Sequence, residues 1–133
     1  MLYIFGHGEV PISMSGDPNQ PELLVHTIRN VGSITAALEQ LREGDFVGVR
    51  GPFGSPWPLS EAKGKDIVIL AGGLGLAPLR PVIYHTLENQ RDYKKITLCY
   101  GARNPEAILF SDELEQWTHR LTVELTVDSA GPG

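Results

Sequence analysis

Apolar and polar positions follow different rhythms in the two halves of this chain. In the second half, Ile67, Val68, Ile69, Leu70 and Ala71 run unbroken. Such a run predicts a parallel strand covered on both faces. From Pro78 to about Gln90, Leu79, Val82, Ile83 and Leu87 recur at helical spacing, with Pro81 inside the first turn where it costs no hydrogen bond. Residues 96–100 predict a second strand. Residues 112–119 predict a second helix, entered through Ser111 or Asp112, with Leu114, Trp117 and Leu121 turned inward. Leu121, Val123, Leu125 and Val127 then alternate, as in a third strand. The order βαβαβ implies right-handed crossovers and a parallel sheet.

The first half reads as strands, turns and one short helix. Residues 1–5 are rich in aromatic and branched side chains, as strands are. Residues 6–9 predict a turn, and 10–15 an extended segment because Pro11 holds Val10 out of the helical region. Residues 16–21 form a dense turn cluster. Residues 22–29 place Leu23, Val25 and Thr27 on one face and Leu24, His26 and Ile28 on the other, predicting a strand. Ile34, Leu38 and Leu41 predict a helix capped by Ser33 and closed by Gly44. Residues 46–50 predict another strand. The turn-rich stretch 51–58 is the boundary candidate, dividing the chain into 1–58 and 59–133.

Composition narrows the class. The length of 133 residues suits one domain or two small pieces. The net charge of −5 argues against nucleic acid as the main partner. No run is long enough to span a membrane, and no secretory signal is visible at the N-terminus. The single cysteine, Cys99, excludes an internal disulfide framework and any multi-cysteine metal site within the chain, and is compatible with a reducing interior. Fifteen glycines and ten prolines imply many tight turns, as in a barrel joined to an α/β unit.

Candidate chemistry concentrates at glycine turns. Gly72, Gly73 and Gly75 follow the first parallel strand and let another group approach the backbone. Pro78 suits the first residue of a helix whose positive end would attract phosphate. The spacing is G-x-G-x-x-P, and a tight turn without a ligand reads it equally well. Gly101 and Arg103 follow the second strand and Asp128 the third, where ligands of such sheets sit; Arg103 is equally a solvated loop arginine. Gly32 precedes a helix start with Ser33 and Thr35, and Arg29 lies just upstream; ordinary capping is the commoner use of such residues. Ser13 could reach a planar ring lined by Ile12, or bond its own backbone. His7, His26, His85 and His119 lack metal-ligand spacing. His26 reads as a satisfied, partly buried histidine, His85 as half-wet, and Cys99 as a small core residue. No nucleophile–base pairing is readable, and no metal site is expected.

Together these motifs resemble the ferredoxin–NADP reductase superfamily, in which an FAD-binding β-barrel precedes an NAD(P)-binding α/β domain. Val10-Pro11-Ile12-Ser13 resembles the flavin motif. Thr27-Ile28-Arg29 with Gly32 and Thr35 resembles the strand and helix start that hold FAD. Gly51-Pro52-Phe53-Gly54 resembles the turn at the barrel's end. Gly72-Gly73-Leu74-Gly75-Leu76-Ala77-Pro78-Leu79 resembles the nicotinamide-dinucleotide loop, with Tyr100-Gly101-Ala102-Arg103 as its second-strand partner. Residues 8–13, 49–54 and 57–58 look most like the gamma subunits of cytoplasmic nickel–iron hydrogenases (sulfhydrogenases). The electron-transfer components of dihydroorotate dehydrogenase and of anaerobic sulfite reductase are similar relatives.

The resemblance implies FAD held by Val10, Pro11, Ile12, Ser13, Thr27, Ile28, Arg29, Gly32, Ile34 and Thr35, with Ser13 near flavin N5. It implies NAD(P)H held by Gly51, Pro52, Gly54, Gly72, Gly73, Gly75, Ala77, Pro78, Leu79, Tyr100, Gly101, Ala102, Arg103 and Asp128. The implied activity is cytoplasmic electron transfer between NAD(P)H and iron–sulfur and catalytic subunits of a redox complex. A non-catalytic nucleotide-binding module is the rival of a different class. Two departures stand out. Val10 occupies the place of the flavin motif's arginine, and the chain lacks early barrel strands and the cysteine cluster that would hold a 2Fe–2S centre. A partial barrel is therefore expected, with exposed strand edges and poor flavin retention by this chain alone.

Overall fold

The computed structural model describes residues 1–129. In the first half, β1 (Leu2–Ile4) pairs antiparallel with β2 (Gly8–Val10), Leu2 opposite Val10. It pairs on its other edge with β3 (Gly48–Val49). The expected turn at 6–9 is shorter than its four residues, because Gly8 and Glu9 join β2. The strand expected over 22–29 does not form a ladder. It makes one bridge, Met14 with His26, beside a 2.8 Å bond from Ser15 N–H to the Val25 carbonyl. Pro11 and Pro18 flank the facing segment and have no N–H to extend it. Helix α1 (Ser33–Glu39) is capped at Gly32 rather than Ser33. Gly44 lies beyond its end, because residues 42–45 close their own turn through Asp45 Oδ2, 2.7 Å from the Arg42 N–H.

The second half follows the expected order. Strands β4 (Ile67–Gly72), β5 (Ile96–Ala102) and β6 (Thr122–Val127) pair in parallel in the order β4-β5-β6. Helices α2 (Arg80–Glu88) and α3 (Ser111–Thr118) make the two crossovers. The helix expected from Pro78 starts two residues later. A 3₁₀ stretch, Gly73–Leu79, takes the glycine turn and Pro78, and Pro81 sits in the first turn of α2. Proline fits the 3₁₀ φ as well as the helical one, so Pro78 does not fix the boundary. Helix α3 begins after Phe110, not through a Ser111 or Asp112 cap.

One core lies between the sheet and these helices. It includes Ile69, Leu76, Val82, Ile83, Leu87, Leu98, Tyr100, Leu114 and Trp117. Both crossovers step in the same direction, so right-handedness puts both helices on one face. The opposite face stays open: Val68 is 64% exposed and Leu70 72%. This corrects the expectation that residues 67–71 are covered on both faces. Cys99 alternates with buried Leu98 and Tyr100 and lies half-buried on the open side, not in the core. Among the described residues no helix is long and apolar enough to cross a membrane.

Candidate functional site

The carboxyl ends of β4, β5 and β6 meet at a cleft of about 750 Å³. It is lined by Gly72, Gly73, Leu74 and Gly75 on one side and by Gly101, Ala102, Arg103, Asn104, Ala107 and Asp128 on the other, with Arg29 reaching in from the first half. Gly73 turns the chain with φ +50°, a backbone region that side chains rarely adopt. Side chains added at Gly72 or Gly75 would meet no atom within 4 Å, so both face open space. A ligand can therefore lie directly on this backbone. Two arginines bring positive charge, and Asp128 adds one carboxylate.

Two internal bonds shape the cleft. The buried Tyr100 hydroxyl donates to the Gly73 carbonyl and accepts from the Leu109 N–H, each at 3.2 Å. Tyr100 thus ties the glycine turn to the facing loop. Asn104 accepts the Ala107 N–H through Oδ1 at 2.9 Å and holds that loop in a turn. Sequence reasoning missed Asn104, although Asn-Pro is a turn-forming pair.

A second hollow of about 490 Å³ lies in the first half, lined among others by Pro11, Ile12, Ser13, His26, Arg50 and Pro52. The Ser13 carbonyl lies 3.1 Å from His26 Nδ1. Arg50, which the sequence did not single out, pairs with Glu9 at 2.6 Å and lies 5.2 Å from the centre of the Phe53 ring. Its hollow is apolar with a few polar groups, the character of small-molecule sites.

The structure thus gathers Pro11, Ile12, Ser13, Gly51 and Pro52 in one place, and Gly72, Gly73, Gly75, Gly101, Ala102, Arg103 and Asp128 in another. Arg29, which the sequence placed among the FAD residues, lies with the second group: its guanidinium is 4.0 Å from where a Gly73 Cβ would stand. Val10, Thr27, Ile28, Gly32, Ile34, Thr35, Gly54, Ala77, Pro78, Leu79 and Tyr100 line neither space. Several of these make structural contacts. Val10 pairs in the hairpin. Thr27 Oγ1 is 2.8 Å from Ser15 Oγ. Thr35 Oγ1 accepts the Val31 and Gly32 N–H groups at 3.0 and 2.9 Å. Ala77 is buried beside Leu76. The Pro78 carbonyl accepts from Trp57 Nε1 at 3.3 Å, fastening the 51–58 stretch to the glycine turn.

A parallel α/β sheet with a bare glycine turn at its carboxyl edge, joined to an antiparallel sheet, has the form of a two-part nucleotide-binding class. Residues 69–130 match the family model described as the oxidoreductase NAD-binding domain, and in fold the chain resembles the ferredoxin–NADP reductases. It is 40% identical over 111 residues to the gamma subunit of sulfhydrogenase 2 from Pyrococcus furiosus, covering 84% of this chain and 38% of that protein. It is 32% identical over 133 residues to a probable dihydroorotate dehydrogenase B (NAD(+)) electron transfer subunit of the same organism, covering 100% of this chain and 47% of that protein. Its fold matches that of an NADH-dependent reduced ferredoxin–NADP oxidoreductase with a TM-score of 0.79 at 24% identity, over 99% of this chain and 48% of that one. The chain spans less than half the length of these relatives.

Proposed function

We propose that the protein transfers electrons between NAD(P)H and a redox partner through bound FAD. The observation that carries this reading is the bare glycine turn facing Arg29 and Arg103 across the cleft. Open backbone at Gly72 and Gly75 admits a diphosphate, and the two guanidinium groups can pair with its oxygens. Asp128, at the end of β6, is placed to accept from ribose hydroxyls. The second hollow fits a planar ring: Ile12 and Pro52, the latter read from the sequence as a nicotinamide residue, offer apolar walls, and Ser13 offers a hydroxyl. When bound, the flavin supplies hydride acceptance from the nicotinamide. The chain's own residues bind, orient and exclude water.

The names of the relatives support this reading. One is a hydrogenase gamma subunit, and one is called an electron transfer subunit. On this reading the full protein sits in the cytoplasm and serves iron–sulfur and catalytic subunits, with residues 1–58 as the flavin side and 59–133 as the dinucleotide side.

The test is flavin absorbance in the full-length protein. Bleaching on addition of NADH or NADPH is the expected result; a colourless protein that takes up no flavin would sink the reading. Gly75→Val should abolish this bleaching while bound flavin and melting temperature stay unchanged, because the added side chain points into open space. Unchanged bleaching would count against the assigned turn.

A further inference from the structure

The two walls of the cleft belong to separate segments: the glycine turn after β4 and the loop over 103–110 after β5. We propose that Arg80 fixes the separation of these walls, acting as a positioning residue for a dinucleotide that it does not touch. This rests on the dinucleotide reading of the cleft.

Arg80 is the first residue of α2, directly after the 3₁₀ stretch that carries the glycine turn. Its side chain is only 11% exposed. Nε and Nη2 donate to the two oxygens of Glu113 in α3 at 3.0 and 2.6 Å. Nη2 also donates to the Tyr84 hydroxyl at 2.8 Å. The guanidinium lies 4.1 Å from the centre of the Phe110 ring. One planar group therefore holds the helix after the first wall to the last residue of the second wall and to the helix beyond it.

Phe110 shows what this grip restrains. It has φ 60° and ψ 40°, in the left-handed region that bulky side chains avoid. It is the one described non-glycine residue with positive φ. Such a conformation persists where the surroundings over-determine it. Here the Phe110 carbonyl accepts the Leu114 N–H at 2.9 Å, and Arg80 covers the ring. One residue earlier, the Leu109 N–H bonds the Tyr100 hydroxyl, which also holds Gly73. The loop's far end is thus registered against the glycine turn by two independent ties.

Helix stability does not account for Arg80. A cation in the first turn opposes the helix dipole. A buried ion pair is weak evidence for stability, since desolvation offsets its attraction. Geometry does account for it: a rigid guanidinium can grip a carboxylate at two points and stack at once, which an ammonium cannot.

The test uses steady-state kinetics of the full-length flavin-loaded protein with its reduced nicotinamide substrate. Arg80→Lys should raise KM about tenfold and change kcat less than twofold, with flavin content intact. Phe110→Gly, which tolerates the left-handed backbone, should raise KM several-fold, whatever the lost packing of the ring against the core does to the melting temperature. Val82→Ala, a cavity in the same helix, should lower the melting temperature and leave KM alone. Should Arg80→Lys fail to fold, Phe110→Gly decides the matter on its own. Unchanged KM in Phe110→Gly, or in a folded Arg80→Lys, overturns the inference while the dinucleotide reading stands. A wild-type protein that never saturates with the nucleotide overturns both.

Discussion

The two halves of this chain hold their candidate sites in different ways. The parallel sheet buries its own core: twelve apolar residues from Ile69 to Leu121 pack together under α2 and α3. In the antiparallel half Leu2 is the one fully buried apolar residue among those described, while Phe5 is 89% exposed and Phe46 97%. The first half relies instead on short hydrogen-bonded fastenings such as Ser15 with Thr27 and Thr35 with residues 31–32. The contrast teaches that a cleft at the end of a packed sheet is preformed, whereas a hollow between thinly packed turns takes its shape from few contacts. Regions with few buried apolar contacts open at low free energy.

The sharpest way to break this contrast is by truncation. Trp117→Ala removes a core side chain that is 4% exposed. It should cost about 3–5 kcal/mol in denaturant unfolding, as such truncations do. Phe46→Ser should cost less than about 0.5 kcal/mol, as exposed sites do. Similar losses at both positions would erase the distinction. Arg29→Met tests the bridge between the halves. It should weaken dinucleotide binding roughly tenfold, equivalent to about 1.4 kcal/mol, in calorimetric titration, with flavin still bound. Loss of flavin with normal nucleotide affinity would return Arg29 to the flavin side.

A smaller effect concerns pH. Burial, reinforced by the hydrogen bond to Glu113, pushes the Tyr84 hydroxyl up to about 12. A pKa raised on folding means that the native state prefers the protonated phenol. Its contribution is complete below pH 10 and fades as pH rises toward 12. Tyr84→Phe should flatten this alkaline loss of stability, followed by circular dichroism; an identical alkaline limb in both proteins would count against it.

Much of the second half was legible in the sequence because its signals are local. Helical spacing marked Val82, Ile83 and Leu87, and alternation marked β6. The covering of β4 was not legible, because Val68 and Leu70 look the same whether or not a helix lies over them. That depends on the direction of the crossovers, a property of the whole sheet. In the first half, alternation over 22–29 suggested a strand, but a ladder needs a partner with free N–H groups. Of the site, the glycine turn was readable; the reach of Arg29 toward Gly73 was not, since the two lie far apart in the sequence.

The strand order carries a topological consequence. A sheet that grows β4-β5-β6 dresses the same face at every step. Another right-handed step past β6 would dress that face again. Only a strand laid on the free edge of β4 reverses the march, and its connection would pass over Val68 and Leu70. The glycine turn stands at the end of that same strand, on the seam where such a reversal would fall. Nucleotide crevices of open α/β sheets form at seams of this kind.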